Sequence, residues 1–173
     1  MAYVNCLHED NIKICYQKVK STVKSPELSD INPATITLRA KENFSFEKNK
    51  YAKAYTGLIM DLPTRCKGVV SPLSLRENET IGDLLIYQSM QVIEPGYRQE
   101  IAVELFNRTK NRVIIEKDTP IGYLTVSLKP QDGCKHRVTN KFNIHLEEVN
   151  NMTDLSYLPV RNSGEISLSE IMI

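Results

Sequence analysis

Short segments in which apolar and polar residues alternate dominate the chain. The pattern covers residues 34–40, 54–60, 66–70, 100–106, 112–116 and 121–128, and weaker versions cover 12–19 and 140–149. Side chains of a β-strand point alternately to two faces, so a period of two predicts strands. Only residues 75–91 allow a helical turn. Many short strands between polar turns predict an all-β sandwich or barrel.

The chain has 173 residues, which corresponds to about one domain. The strand pattern is clearest up to about residue 130 and weakens afterwards. We therefore predict a β-barrel domain in residues 1–130, of which the first 30 are the least defined. Residues 131–173 are predicted to form a C-terminal strand followed by an arm or tail.

Charge and hydropathy narrow the function classes. Twenty-two basic residues face 21 acidic ones, for a formal net charge of +1. That balance argues against binding of nucleic acid through bulk charge, although local basic patches remain possible. No apolar run approaches the roughly 18 residues of a membrane span, and the N-terminus does not resemble a secretory signal. We expect an intracellular protein, in the cytoplasm or nucleus, whose four cysteines are free thiols.

Motifs for metals and phosphates are sparse. The chain contains no Gly-rich phosphate loop, no His-Glu-x-x-His and no Cys-x-x-Cys. Two Cys-x-His pairs, Cys6 with His8 and Cys134 with His136, could supply four zinc ligands. Because this spacing is uncommon in structural zinc sites, scattered thiols and surface histidines are the preferred interpretation. No cofactor is expected on these grounds.

The most informative stretch is residues 91–128. Its turn holds Glu94, a Pro-Gly pair and Tyr97, and the strand that follows carries Glu104 as a candidate inward-facing carboxylate. A carboxylate can position a water molecule or accept a hydrogen bond from a base, while an aromatic ring can pack against a sugar. The alternative is an ordinary turn followed by a strand whose glutamate faces solvent.

The same stretch resembles the dUTPase and dCTP-deaminase superfamily. Residues 92–98 (Val-Ile-Glu-Pro-Gly-Tyr-Arg) are similar to the Val-Ile-Asp-x-x-Tyr-Arg-Gly motif, and residues 118–124 (Asp-Thr-Pro-Ile-Gly-Tyr-Leu) to Gly-Asp-Arg-Ile-Ala-Gln-Leu. Upstream, residues 34–40, 56–58 and 72–75 fall where the family has Ala-Gly-Tyr-Asp-Leu-x-Ala, Pro-Thr-Gly-Ile and Pro-Arg-Ser-Gly-Leu. The matches occur in the family's order over residues 30–128.

This resemblance implies a compact all-β jelly-roll barrel of the β-clip type, usually a homotrimer with sites shared between subunits. In dUTPases the acidic residue of the turn orients the attacking water and the tyrosine packs against deoxyribose. An Arg-Ser pair and a glutamine hold the phosphates, which Mg²⁺ bridges. Carried over residue by residue, the catalytic candidate is Glu94, and the substrate-binding candidates are Tyr97, Ser74 and Arg98.

The sequence departs from the family pattern at several positions that bind phosphate, metal or water in dUTPases. Glu94 stands where aspartate is expected, Leu73 replaces the phosphate-binding arginine, Thr37 replaces an aspartate and Tyr123 a glutamine. Triphosphates are bound by charge-assisted contacts. We therefore predict a catalytically degenerate, dUTPase-like accessory, interaction or structural protein, of the kind that large DNA viruses and adenoviruses carry.

Two enzymatic alternatives remain open. The first is a divergent but active dUTP diphosphatase that uses Glu94, Tyr97 and Ser74 with Mg²⁺. The second and weaker one is dCTP deamination with Glu104 as the general acid and base, because Glu104 falls where that branch of the superfamily has such a glutamate. The Ser-Ser-x-x-Arg element of the deaminases is not matched at the required spacing.

The last residues suggest a possible partner. Ile171, Met172 and Ile173 end the chain with an apolar residue and another two places before it. This pattern fits a ligand of PDZ domains, which capture a C-terminal carboxylate and add the peptide as a strand. An apolar tail that packs on a neighbouring subunit is the preferred alternative.

Overall fold

A computed structural model describes residues 10–30, 34–72, 91–129 and 142–152 of the 173-residue chain. Twelve β-strands account for the regular structure of these residues. In chain order they are β1 (Asp10–Lys18), β2 (Glu27–Leu28), β3 (Thr35–Arg39), β4 (Phe44–Phe46), β5 (Tyr51–Tyr55), β6 (Leu58–Asp61), β7 (Cys66–Pro72), β8 (Gln91–Ile93), β9 (Ala102–Phe106), β10 (Val113–Ile115), β11 (Pro120–Leu128) and β12 (Phe142–Glu148). The all-β prediction is confirmed.

The strands form two sheets and two ribbons. The larger sheet has the order β2-β3-β11-β7-β8, and the smaller one has the order β12-β1-β6. Strands β5 and β9 form one antiparallel ribbon, and β4 and β10 form the other. No helix in the described ranges is long and apolar enough to cross a membrane.

One continuous core joins the sheets and ribbons. Alternate residues of several strands point into it with almost no solvent exposure, among them Ile12, Ile14, Ile36, Leu38, Met60, Ile101, Leu105 and Leu124. Burial of each such side chain contributes about 1.5–3 kcal/mol relative to leaving it exposed. The period of two therefore predicted the core-facing positions of β3 and β9 correctly, because in both strands the apolar positions are the buried ones.

One predicted strand is wrong. Residues 54–60 do not form a single strand, because β5 ends at Tyr55 and β6 begins at Leu58. Gly57 lies between them in the left-handed region at φ +73, and a Cβ there would lie 2.6 Å from Val23. At this corner the Ile101 carbonyl accepts hydrogen bonds from both the backbone N–H and the hydroxyl of Thr56, at 3.0 and 2.7 Å.

Three short strands were missed. Strand β2 lies in the segment expected to be a linker, β4 lies in the lysine- and glutamate-rich stretch 41–50, which was interpreted as a breaker, and β8 begins at Gln91, where the stretch 75–91 ends. Strand β4 forms because Phe46 is buried, Phe44 stacks on it at 5.9 Å between ring centroids, and β10 supplies a pairing edge. Three residues are too few for a period to be detected, so long-range pairing decided this element.

Strand β12 lies beyond the predicted domain boundary near residue 130. It pairs in parallel with β1 from Asp10↔Phe142 to Tyr16↔Glu148, so it extends the smaller sheet of the same body. The boundary itself stays a prediction. Residues 73–90 and 153–173 lie outside the described residues. They include Leu73, Ser74, the C-terminal residues Ile171, Met172 and Ile173, and all of the proposed helical turn at 75–91 except Gln91, which begins β8.

Candidate functional site

The acidic turn of residues 94–97 is a tight β-turn between β8 and β9. The backbone N–H of Tyr97 donates to the Glu94 carbonyl at 3.1 Å, and Gly96 has φ +88. Proline at the second position and glycine at the third define a type II turn, in which the third residue needs a positive φ. The Pro95-Gly96 pair therefore encodes this local geometry, and it leaves the Glu94 side chain on the exposed side of the sheet.

An ion pair holds the carboxylate of Glu94. Lys129 Nζ lies 2.8 Å from Glu94 Oε2, and both side chains are partly exposed. Lys129 follows β11, where its backbone N–H donates to the Arg65 carbonyl at 2.7 Å. The β7–β8 register pairs Gly68 with Ile93, which places Lys67 level with Glu94. The carboxylate of Glu94 is thus paired with a cation of its own chain.

Tyr97 is half-buried and packs against the core. Gln91 Nε2 donates a hydrogen bond of 3.2 Å to the Tyr97 hydroxyl, so the ring is held at both its body and its tip. A ring fixed in this way requires little ordering when a ligand packs against it. The position agrees with the role that the family resemblance implies for Tyr97, and that role stays a prediction.

Arg98 forms an ion pair within the chain. Arg98 Nη1 lies 2.6 Å from Asp61 Oδ1, and the Asp61 side chain is only 4% exposed. The same nitrogen donates to the Tyr97 carbonyl at 3.3 Å. Arg98 therefore ties the base of the acidic turn to β6. Substrate binding by Arg98 stays a prediction, while its observed contacts are those of a positioning residue.

Glu104 does not face inward. It lies on the exposed face of β9, directly opposite Lys53 of β5, whereas its neighbours Val103 and Leu105 are buried. The expected inward orientation is wrong because the apolar side chains on either side of Glu104 occupy the core face of the strand. A catalytic role for Glu104 stays a prediction.

Two of the motif segments meet in the larger sheet. Tyr123 of β11 is paired with Thr37 of β3 on one side and with Ser71 of β7 on the other. These strands bring together the segments that the resemblance aligned with the Ala-Gly-Tyr-Asp and Gly-Asp-Arg motifs, and Pro72, the one described residue of the segment aligned with Pro-Arg-Ser, is paired with Gly122. The positions of the expected aspartate and glutamine hold the hydroxyl groups of Thr37 and Tyr123, which carry no charge near neutral pH.

The described part of the chain contains no cluster of side chains that could hold a metal ion. Cys15 and Cys66 are buried free thiols, and burial raises the pKa of the Cys15 thiol. No group of three or more His, Cys, Asp or Glu side chains comes together in residues 10–30, 34–72, 91–129 and 142–152. Cys6, His8, Cys134 and His136 lie outside these ranges, so the zinc hypothesis stays a prediction.

Comparison with known proteins agrees with this architecture. Residues 22–146 match the dUTPase family model, and the chain belongs to that family. A deoxyuridine 5′-triphosphate nucleotidohydrolase of Alkaliphilus metalliredigens is 26% identical over 119 residues, which cover 67% of this chain and 78% of the relative. A homologue of Clostridium tetani with the same name is 25% identical over 111 residues, which cover 62% and 73%.

Solved structures show the same fold. A mutant dUTPase from phage phi11 of Staphylococcus aureus has a TM-score of 0.59 at 13% identity, and the match covers 71% of this chain and 95% of that one. The dUTPase of Staphylococcus bacteriophage 80alpha has a TM-score of 0.59 at 15% identity, with coverage of 71% and 94%. The jelly-roll fold of the dUTPases is therefore confirmed for this chain.

Sequence reasoning missed the ion-pair partners of two candidate site residues, Glu94 and Arg98. Lys129 is far from Glu94 in the chain, and a lysine at the end of a strand is not unusual, so no local signal marks the pair. Asp61 likewise sits in an apolar strand, and only its burial identifies it as the partner of Arg98. The relevant sequence signal is a lone aspartate in a core strand, because buried carboxylates are rare unless they are paired.

Proposed function

We propose that this protein is a dUTPase-family member that does not hydrolyse dUTP and acts as an accessory protein through interaction with a partner. The observation that carries the proposal is the ion pair between Lys129 and Glu94, at 2.8 Å. In the motif alignment, Glu94 has the position of the family's water-orienting carboxylate. In this chain one oxygen of that carboxylate is already paired with the ammonium group of Lys129.

The chemistry of the turn supports loss of hydrolysis. The glutamate side chain is one methylene longer than aspartate, which moves the carboxylate by about 1 Å, and misplacement of that size can cost about a hundredfold in rate. A carboxylate that already accepts a hydrogen bond from an ammonium group is also a weaker acceptor for a water proton. Both effects act on Glu94, and they reinforce each other.

The phosphate ligands support the same conclusion. Leu73 has no charge at the position of the family's arginine, and Thr37 and Tyr123 supply only neutral hydroxyls to their part of the sheet. Stabilisation of charge by preorganised cations and donors is usually the largest contribution to phosphoryl chemistry. A chain that lacks these groups together is poorly equipped to stabilise a triphosphate in its transition state.

The test is a pyrophosphate-release assay with dUTP and Mg²⁺ that compares the wild type with a restored variant, Thr37→Asp/Leu73→Arg/Glu94→Asp. We expect wild-type release to equal the rate without protein and the restored variant to exceed it at least tenfold. Lys129→Met alone is expected to leave wild-type release at background, because the phosphate ligands are still missing.

Glu94→Gln and Glu116→Gln form the matched control pair, since both change an exposed glutamate and only the first lies in the acidic turn. Wild-type turnover that is lost in Glu94→Gln and retained in Glu116→Gln would overturn the proposal. Such a result would show that Glu94 performs the water-orienting role despite the longer side chain and its ion pair.

The second candidate is an active dUTP diphosphatase. The observation in its favour is the prearranged turn, in which Tyr97 is packed against the core and hydrogen-bonded by Gln91. The names of the bacterial relatives fit this candidate as well. Mg²⁺ is commonly bound through one or two carboxylates together with substrate phosphates. With Glu94 as the carboxylate of the turn, the metal would be held mainly by the triphosphate and would neutralise its charge.

Deamination of dCTP is the third, weaker candidate and is tested in the same experiment by ammonia release. It requires Glu104, which faces away from the core opposite Lys53. Glu104→Gln is the diagnostic variant, and loss of ammonia release in it alone would establish this activity. We expect no ammonia release from the wild type.

The accessory role includes assembly into a homotrimer, as the family resemblance implies, and is independent of turnover. One structural neighbour, the dUTPase of phage 80alpha, is described as controlling transfer of virulence genes by a G protein-like mechanism. The regulatory use of this fold in that phage protein supports a regulatory use here, and a viral origin fits the same pattern. Sedimentation equilibrium of the full chain tests the assembly, with a mass of three chains expected.

A further inference from the structure

Exposed cations are concentrated at one end of the β5–β9 ribbon. Residues 44–53 and 104–113 carry six lysines and arginines against two glutamates, whereas the rest of the chain carries 16 against 19. The near-neutral total therefore hides a strongly basic region. Five of these cations lie in the two loops that follow β4 and β9: Lys48, Lys50, Arg108, Lys110 and Arg112. We call these five residues, together with Tyr51 and Phe106, the basic end.

Hydrogen bonds of Asn107 hold the two loops together. Asn107 N donates to the Lys50 carbonyl at 3.0 Å, and Asn49 N donates to the Asn107 carbonyl at 2.8 Å. The buried Asn107 amide also donates to the Phe46 and Asn111 carbonyls at 3.2 and 2.9 Å. The cations are therefore mounted on a tied pair of loops rather than on independent ones, which reduces the ordering cost of binding.

Most of the loop cations have no partner within the described residues. Arg112 contacts Ser45 Oγ at 3.1 Å and Glu47 at 3.6 Å. In residues 10–30, 34–72, 91–129 and 142–152, no hydrogen bond or ion pair involves the side chains of Lys48, Lys50, Arg108 or Lys110. Like charges gathered on one surface repel each other, so the arrangement favours an anionic ligand.

Aromatic rings adjoin these cations. Tyr51 is 64% exposed and packs against Phe106 with 4.6 Å between ring centroids. Along the same face of β5, Lys53 and the exposed Tyr55 follow, so aromatic and cationic side chains alternate over about 13 Å of strand. Exposed rings beside such cations are the combination that binds single-stranded nucleic acid, because bases stack on rings and phosphates contact cations.

We propose that the basic end binds single-stranded nucleic acid. Loop cations contact the phosphates, and Tyr51, supported from behind by Phe106, stacks on a base. Duplexes fit less well, because their base faces are already stacked. The acidic turn of residues 94–97 precedes β9 and the basic end follows it, so the five-residue strand separates the two by about 17 Å. The proposal therefore does not depend on whether dUTP is hydrolysed.

The test is fluorescence anisotropy of the full chain with labelled single-stranded DNA and RNA homopolymers of 20 nucleotides, at several salt concentrations. Lys48→Glu/Lys110→Glu is expected to weaken binding at least tenfold and to lower the salt slope by about 0.7 for each phosphate that is no longer neutralised. Tyr51→Val, which preserves strand propensity, is expected to weaken binding about tenfold at unchanged slope. Comparison of the DNA and RNA arms distinguishes the two ligands.

The matched control is Lys20→Glu/Lys67→Glu, which makes the same change in net charge at exposed positions outside the basic end. Retained binding in this control supports the proposal, and so does binding that saturating dUTP leaves unchanged. Equal loss of affinity in both double variants, equal affinity for duplex DNA with no effect of Tyr51→Val, or binding only to anionic lipid vesicles would each overturn it. Circular dichroism of every variant checks that the fold is retained.

Discussion

Strand β9 joins two turns that are stabilised in opposite ways. Before it, the acidic turn presents Glu94 at the surface, held by one partly exposed ion pair with Lys129. After it, Asn107 has no solvent exposure, and all of its side-chain hydrogen-bonding groups are used within the chain. Buried, fully satisfied polar groups specify one conformation, whereas exposed ion pairs contribute little to stability. We infer that Asn107 fixes the conformation of its two loops, whereas the ion pair of Glu94 contributes little to the stability of the acidic turn.

The largest expected effect follows from removal of the Asn107 amide. Asn107→Ala removes the hydrogen bonds of this side chain to the Phe46 carbonyl and the Thr109 N–H, whereas the Asn111 carbonyl keeps its hydrogen bond from the Thr109 hydroxyl. We expect a decrease of roughly 2–4 kcal/mol in the free energy of unfolding, because the Phe46 carbonyl loses a buried hydrogen bond and the loop loses three partly buried ones from the same side chain. Urea unfolding measures it. Asn143→Ala, at an exposed position of β12, is the control and is expected to change stability by less than about 0.5 kcal/mol.

A second effect concerns the base of the acidic turn. There Arg98 pairs with the buried Asp61, whereas Glu94 at the tip pairs with the partly exposed Lys129. Arg98→Met leaves the Asp61 carboxylate buried without its guanidinium partner. Breaking a buried pair typically costs about 3–5 kcal/mol, and partial exposure of Arg98 reduces our expectation to about 2 kcal/mol. Arg108→Met is the exposed control. Thermal unfolding of Arg98→Met that matches this control would show that the turn is not anchored through β6.

The exposed tip is expected to contribute little to stability. Lys129→Met removes the partner of Glu94, and Lys13→Met removes the partner of Glu147 in an exposed pair of the same length, 2.8 Å. Lys129→Met is expected to change the free energy of unfolding by less than about 1 kcal/mol, and chemical denaturation should show no larger change in it than in Lys13→Met. A decrease of more than about 2 kcal/mol in Lys129→Met alone would make the Glu94 pair architectural and would remove the contrast with Asn107.

The smallest effect is a pH dependence at the edge between β1 and β12. The hydrogen bond and charge of Lys13 lower the pKa of Glu147 below its ordinary value of 4.5. A lowered folded-state pKa means that the contribution is complete above the unfolded value and is lost as the pH falls through the folded value. The melting temperature of the wild type should therefore exceed that of Lys13→Met above about pH 4.5, and the difference should vanish in stronger acid. A difference that persists unchanged in strong acid would contradict the assignment.

Local signals account for much of the fold. Strands β3, β9 and β11 follow from their alternation, and the type II turn follows from Pro95-Gly96, because both depend on neighbouring residues. The order of weak motif matches also identified the family, which the family model confirms over residues 22–146. The split at Gly57 was missed because one glycine in an apolar run does not by itself mark a turn, and its positive φ of +73 is visible only in the structure.

The candidate site was predicted less completely. Glu94, Tyr97 and Arg98 could be selected from one short motif, and the structure describes all three. The ion-pair partners of Glu94 and Arg98 could not be predicted from the sequence, since Lys129 and Asp61 come from distant parts of the chain. For Glu104 the sequence left an inward and a solvent-facing orientation open, and the structure shows the solvent-facing one that the alternation of β9 indicates.

The sequence by itself determined the strand class, the core-facing positions, the tight acidic turn, and the replacement of the family's charged residues at positions 37 and 73 and of its glutamine at position 123. These properties are local: they depend on period, on backbone freedom and on the identity of single side chains. Tertiary structure alone decided the parallel pairing of β12 with β1, the ion pairs of Glu94 and Arg98, and the gathering of cations around Asn107. Each of these joins residues far apart in the chain, whose proximity results from burial of the shared core.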